Sequence, residues 1–131
     1  VIDLVKNSIA KNLEGKCNFI YLLGSVGTER FHNDSDIDIA AHFINEPTFE
    51  ELVALKAKIE RELNRDIDLV SLNFVDPIFA QQVLETGRLI YTTKDKVELL
   101  SWKTQIMSMY PDFKMSRKII EDSLLNRKKN V

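Results

Sequence analysis

At 131 residues, 44% of them apolar and 29% charged, the chain has the length and composition of one globular domain with a real core. Its formal net charge is −2, from 18 basic and 20 acidic side chains, so no global basic field argues for direct nucleic-acid binding or for a membrane surface. A single cysteine, Cys17, excludes an internal disulfide, and no apolar run approaches a membrane span, so a reducing, cytoplasmic setting is expected. No secretory signal pattern opens the chain, and Val1 stands where an initiator methionine is absent, so a few residues are expected to precede it.

Val5, Ile9 and Leu13 recur at helical spacing after Val1 and Ile2, and Gly15 is a plausible stop. Cys17 to Leu23 reads as a buried strand, rich in aromatic and branched residues. Residues 24–35 have no regular hydrophobic period and read as a loop or a short turn of helix. Asp36 to Phe43 reads as a second strand, closed by Asn45-Glu46-Pro47. Thr48 opens a helix with a capping box, Glu51 lying three residues on; Phe49, Leu52, Val53, Ile59 and Leu63 are expected to form its apolar stripe. Lys56, Lys58, Arg61 and Glu62 read as solvated decoration, and Asn64 as the stop. Asp66 to Leu72 reads as a third strand. Pro77 suits the first turn of a helix over 78–85 that ends near Gly87, and Leu89 to Thr92 reads as a short fourth strand. From Asp95 the pattern is helical, with Val97, Leu100, Trp102, Ile106 and Met107 facing a core. Tyr110-Pro111-Asp112 interrupts it before a last helix over 113–127. The expected fold class is α+β: a small mixed sheet with helices packed against it, plus a helical C-terminal part. We read 1–131 as a single domain, with 1–93 as its core and 94–131 as that helical part.

The chemistry concentrates between Gly24 and Asp38. Strand side chains alternate faces, so Asp36 and Asp38 point the same way and Ile37 and Ile39 the other. Two carboxylates on one face repel, and a cation between or beside them relieves the cost. Hard divalent cations such as Mg²⁺ take oxygen ligands and are commonly shared with phosphates. The pattern therefore suggests metal-assisted phosphate chemistry, against the plainer reading of a solvated edge-strand face. A third acid on another apolar strand would complete a cluster; Asp66 and Asp68 share a face by parity, and the pattern alone leaves both open. Asp34-Ser35-Asp36-Ile37-Asp38 matches the start of a calcium loop, but Ile39 replaces the required glycine and Asn45 the closing glutamate, so an EF-hand is rejected. Gly24-Ser25-Val26-Gly27 is neither a P-loop nor a dinucleotide fingerprint; by itself it is a strand-ending turn, although Gly24 permits close backbone approach to a phosphate and Ser25 can donate to one. Arg30 is placed to reach a triphosphate or solvent. His32 and His42 are too isolated to nominate, and Cys17 reads as a small core residue.

Gly24-Ser25, then Asp36-x-Asp38, then Asp68 in Asp68-Leu69-Val70-Ser71-Leu72 resembles the signature of the polymerase-β-type nucleotidyltransferase superfamily. The short length, and the segment Val83-Leu84-Glu85-Thr86-Gly87-Arg88-Leu89-Ile90-Tyr91, are most similar to the minimal nucleotidyltransferases, in particular the antitoxins of HEPN/MNT toxin–antitoxin pairs. The resemblance covers about residues 17–110. It implies a nucleotidyltransferase fold in which Asp36, Asp38 and Asp68 hold Mg²⁺ and are catalytic, with Asp68 helping to activate the acceptor hydroxyl. Gly24, Ser25, Ser35 and Arg30 would bind the nucleotide. It singles out Asp68 over Asp66, because Asp68 directly precedes Leu-Val. The implied reaction is transfer of AMP from ATP to a tyrosine hydroxyl of a HEPN-family toxin, with loss of pyrophosphate and silencing of its ribonuclease. The chain departs from the subgroup's Gly-Ser-x-Ala-Arg-Gly by carrying Gly27, Thr28 and Glu29 in the last three positions. Two alternatives stand beside this: transfer to a small molecule, for which few residues remain to build an acceptor domain, and a non-catalytic antitoxin acting by contact.

Overall fold

The computed structural model describes residues 2–24 and 37–109. Helix α1 (Ile2–Leu13) runs through a 3₁₀ turn at Glu14–Lys16 into strand β1 (Cys17–Leu23). Strand β2 (Ile37–Phe43), helix α2 (Phe49–Leu63) and strand β3 (Ile67–Ser71) follow. Helix α3 (Pro77–Thr86), strand β4 (Arg88–Thr92) and helix α4 (Val97–Met109) complete the described chain. The strands form one mixed sheet in the order β3-β2-β1-β4. β1 lies antiparallel to both β2 and β4, whereas β2 and β3 are parallel. A parallel pair needs a crossover longer than a hairpin, and α2 supplies it. The expected α+β class and mixed sheet are what is found.

The sheet is the middle layer between two cores. On one face, Val5, Ile9 and Leu13 of α1 and Leu52, Leu55, Ile59 and Leu63 of α2 pack on Cys17, Ile20, Leu22, Ile37, Ile39, Ala41 and Ile67. On the other, Ala80, Val83 and Leu84 of α3 and Leu99, Trp102 and Ile106 of α4 pack on Phe19, Tyr21 and Ala40. β1 is covered on both faces, which is why Phe19 to Leu23 reads as an unbroken apolar run instead of an alternation. Its parity changes once. Cys17 shares a face with Ile20 and Leu22 because the pairing with β2 is irregular between Cys17 and Phe19.

Local signals behave as their chemistry requires. Thr48 and Glu51 form the reciprocal capping box, and Asn64 ends α2 in the left-handed conformation at φ 52°. Pro77 occupies the first turn of α3, behind an Asp76 N-cap whose carboxylate accepts from the Ile78 N–H at 2.7 Å. The side chains of two helices depart from the expected stripes. Phe49 and Val53 of α2 face solvent while Leu55 turns inward, and Val97 and Met107 of α4 are exposed while Leu99 is buried. In both helices the inward face recurs every three or four residues, Leu52-Leu55-Ile59-Leu63 and Leu99-Trp102-Ile106. The expected helix over 113–127 lies outside the described residues.

Polar ties fasten the elements that carry the sheet. The Asn73 side chain accepts from the Phe43 N–H and donates to the Phe43 carbonyl, each at 2.8 Å, extending the β2–β3 pairing past its end. On the opposite side of the molecule Glu62 of α2 accepts from Ser8 at 2.7 Å and Asn12 at 2.9 Å, and pairs with Lys11 at 3.1 Å. These contacts hold the Glu62 carboxyl down at about 2, the Ser8 hydroxyl being the largest cause.

Candidate active site

The site is built where β1 ends beside β2. Leu23, the last residue of β1, is the register partner of Asp38. The next residue, Gly24, takes φ +82°, and a Cβ added there would stand 3.4 Å from Asp38 Oδ2. A glycine is what lets the chain leave the strand in the left-handed region at this spot.

Asp38 is in turn the register partner of Asp68 across the parallel β2–β3 pair. Side chains of register partners point to the same face, and neighbouring strands lie about 4.8 Å apart. Of the two acids left open by parity, Asp68 sits inside β3 opposite Asp38, while Asp66 precedes the strand and has no such partner. Both carboxylates project from the face opposite α1 and α2, since Ile37, Ile39 and Ile67 occupy the other face. Asp38 is half-buried and Asp68 exposed at the sheet's β3 edge.

Asp38 and Asp68 line one cleft of about 610 Å³ with Leu23, Gly24 and Val70. That volume is within the range of small-ligand sites, about 300–1,000 Å³. Phe79, Gln82 and Thr86 of α3 and Lys56 of α2 complete its walls. Two carboxylates on neighbouring strands repel, by about 1–4 kcal/mol for a pair 4 Å apart depending on how much water screens them. Hard oxygen donors at one point on a sheet edge suit a divalent cation of the magnesium class, which reverses the sign of that interaction. Among the described residues the site offers two such acids. Asp36, Ser25, Arg30 and Ser35 lie outside the described residues.

Lys56 and the α3 residues were not nominated from the sequence. The i, i+3, i+7 spacing of Phe79, Gln82 and Thr86 is the signal that would have put them on one face of α3. Nothing in the pattern distinguishes Lys56 from its charged neighbours on α2. His42, set aside from the sequence, is occupied structurally. Its ring stacks on Phe19 at 4.7 Å between centroids, and Nδ1 lies 3.1 Å from the Asn18 side-chain nitrogen. Burial lowers its pKa, against the opposing fields of Glu98 and Glu46.

The polymerase beta nucleotidyltransferase family model matches residues 5–96. The chain belongs to that family. The matched span runs from α1 past β4 and so includes Gly24, Asp38 and Asp68. Among curated relatives, protein adenylyltransferase MntA of Shewanella oneidensis is 32% identical over 127 residues, which is 95% of this chain and 85% of MntA. Among solved structures, a toxin–antitoxin crystallised with AMP-PNP contains a chain that superposes with a TM-score of 0.69 at 28% identity, over 95% of this chain and 98% of that one. The complex of a tri-AMPylated Shewanella oneidensis HEPN toxin with its MNT antitoxin contains a chain matching at a TM-score of 0.69 and 30% identity, over 95% and 99%. No described helix is long and apolar enough to cross a membrane.

Proposed function

We propose that this nucleotidyltransferase is a cytoplasmic antitoxin that transfers AMP from ATP to a tyrosine hydroxyl of a HEPN-family toxin. The observation that carries the proposal is the register pairing of Asp38 with Asp68, beside the left-handed Gly24. The likeness to protein adenylyltransferase MntA, and to a chain of a complex holding an AMPylated HEPN toxin, supports the acceptor and the transferred group.

In this reading Asp36, Asp38 and Asp68 would hold Mg²⁺, which when bound would neutralise phosphate charge. Gly24 gives the phosphates close access to backbone, and Ser25, Ser35 and Arg30 would contribute to nucleotide binding. Asp68, exposed at the rim, accepts a hydrogen bond from the acceptor tyrosine and draws off its proton. The phenolic oxygen bonds to the α-phosphorus, the bond from that phosphorus to the bridging oxygen of the β-phosphate breaks, and pyrophosphate leaves. Asp38, deeper in the cleft, orients the reacting groups; such positioning and charge stabilisation supply most of the rate in phosphoryl chemistry.

The test is transfer of radiolabel from α-labelled ATP to the toxin by Asp38→Asn and Asp68→Asn. Each substitution is isosteric and removes one negative charge. Each is expected to lower transfer by about 10²-fold or more while thermal unfolding stays cooperative. Undiminished transfer in either variant would remove that residue from the site.

A further inference from the structure

α2 carries three lysine or arginine side chains in its second half, and they do not share an environment. Arg61 is exposed, and Lys58 lines a separate depression with Gly15, Lys16 and Phe43. Lys56 is half-buried and lines the cleft of Gly24, Asp38 and Asp68. Among the described residues neither Lys56 nor Asp68 has an ion-pair or side-chain hydrogen-bond partner. The cleft therefore holds an acid and a base in one space without their neutralising each other.

A half-buried lysine that makes no ion pair in its cleft gains from an anion that enters the cleft. Two acids that project from one face of the sheet and a lysine from the helix on the other face, lining one cleft, suit a ligand that is polyanionic along its length. One part of such a ligand shares a cation with the acids, and another meets the lysine directly. We infer that Lys56 is a phosphate-binding residue, its ammonium donating to the β- or γ-phosphate oxygens of the nucleotide. This rests on the nucleotide reading above and adds a residue outside the three-aspartate signature. Lysine acts on phosphate as a mobile point charge, so arginine should substitute for it in charge though not in geometry.

The experiment is calorimetric titration of the full chain with AMP-PNP and with AMP in Mg²⁺, comparing wild type with Lys56→Ala, Lys56→Met and Lys56→Arg. Methionine keeps the apolar stem without the charge, so it separates lost packing from lost phosphate contact. A hydrogen bond to a charged group is worth about 1.5–3 kcal/mol, so alanine and methionine should weaken AMP-PNP by about 10- to 100-fold. AMP, lacking the outer phosphates, should bind as before, and arginine should recover part of the loss. Unchanged AMP-PNP affinity in Lys56→Met overturns the assignment. So does equal weakening of AMP and AMP-PNP, which would mark a residue that shapes the cleft. Wild-type chain that binds neither nucleotide would instead fail the nucleotide reading itself, and the Lys56 assignment with it.

Discussion

Gly24 can be perturbed in two ways that separate backbone strain from damage to the neighbouring acid. At φ +82° an L-residue pays about 1–2 kcal/mol. Alanine pays this in full but fits the space, since its Cβ would stand at a tolerable 3.4 Å from Asp38 Oδ2. Gly24→Ala should therefore lower the unfolding midpoint by about 3–10 °C, the range this energy gives for a domain of such size, and lower transfer only as far as its methyl limits the approach of the phosphates to the backbone. Asparagine adopts the left-handed region more readily, but its amide begins where the methyl ends and extends about 1.5 Å further toward the carboxylate. Gly24→Asn should lose less stability than Gly24→Ala and more activity, about 10²-fold if the carboxylate is displaced by 1 Å. Circular dichroism melts and the label-transfer assay report the two effects independently. The reasoning is refuted if Gly24→Ala melts at the wild-type temperature, or if Gly24→Asn transfers AMP at the wild-type rate.

Three further outcomes follow from the packing. Phe19 is fully buried against Trp102, Tyr21 and His42, so Phe19→Ala should cost about 3–5 kcal/mol in urea unfolding; a loss under about 1 kcal/mol would mean that this core collapses freely around the vacancy. Glu62 titrates lower when folded than its ordinary 4.5, so the stability it adds is present above that value and is lost as pH falls toward about 2. The stability gap between wild type and Glu62→Gln should thus be widest near neutrality, close as the medium is acidified, and shrink in salt; a gap independent of pH would show that the contact with α1 does not depend on charge. Burial raises the Cys17 thiol to about 12, so iodoacetamide should leave it unmodified in the native chain at mildly alkaline pH and label it in urea, and rapid native labelling would contradict its burial.

What was legible in the sequence was whatever depends on neighbours along the chain. The capping box at Thr48, the Asn64 stop, Pro77 in a first turn and the four strands are written in local residue types, and the structure carries them all. The choice between Asp66 and Asp68 was not legible by parity, because it depends on how β3 registers against β2, a contact some thirty residues apart along the chain. The α2 stripe was drawn too widely because Phe49 and Val53 are apolar by type, yet the sheet reaches only the face carrying Leu52, Leu55, Ile59 and Leu63. Lys56 was invisible for the opposite reason. A lysine on a charged helix reads as solvated until the fold sets an acidic cleft beside it. Asp36 and Ser25 were nominated on the signature and Arg30 and Ser35 beside it, and all four remain part of the proposal.

Intact-mass spectrometry of the partner protein would show whether this chain moves AMP onto it. The HEPN-family toxin would be incubated with the chain, ATP and Mg²⁺, and in parallel with the Asp38→Asn chain. A mass increase in whole AMP units is expected with the wild type and none with the variant. An unmodified toxin held in a stable complex with the wild-type chain would contradict AMP transfer and leave neutralisation by contact in its place.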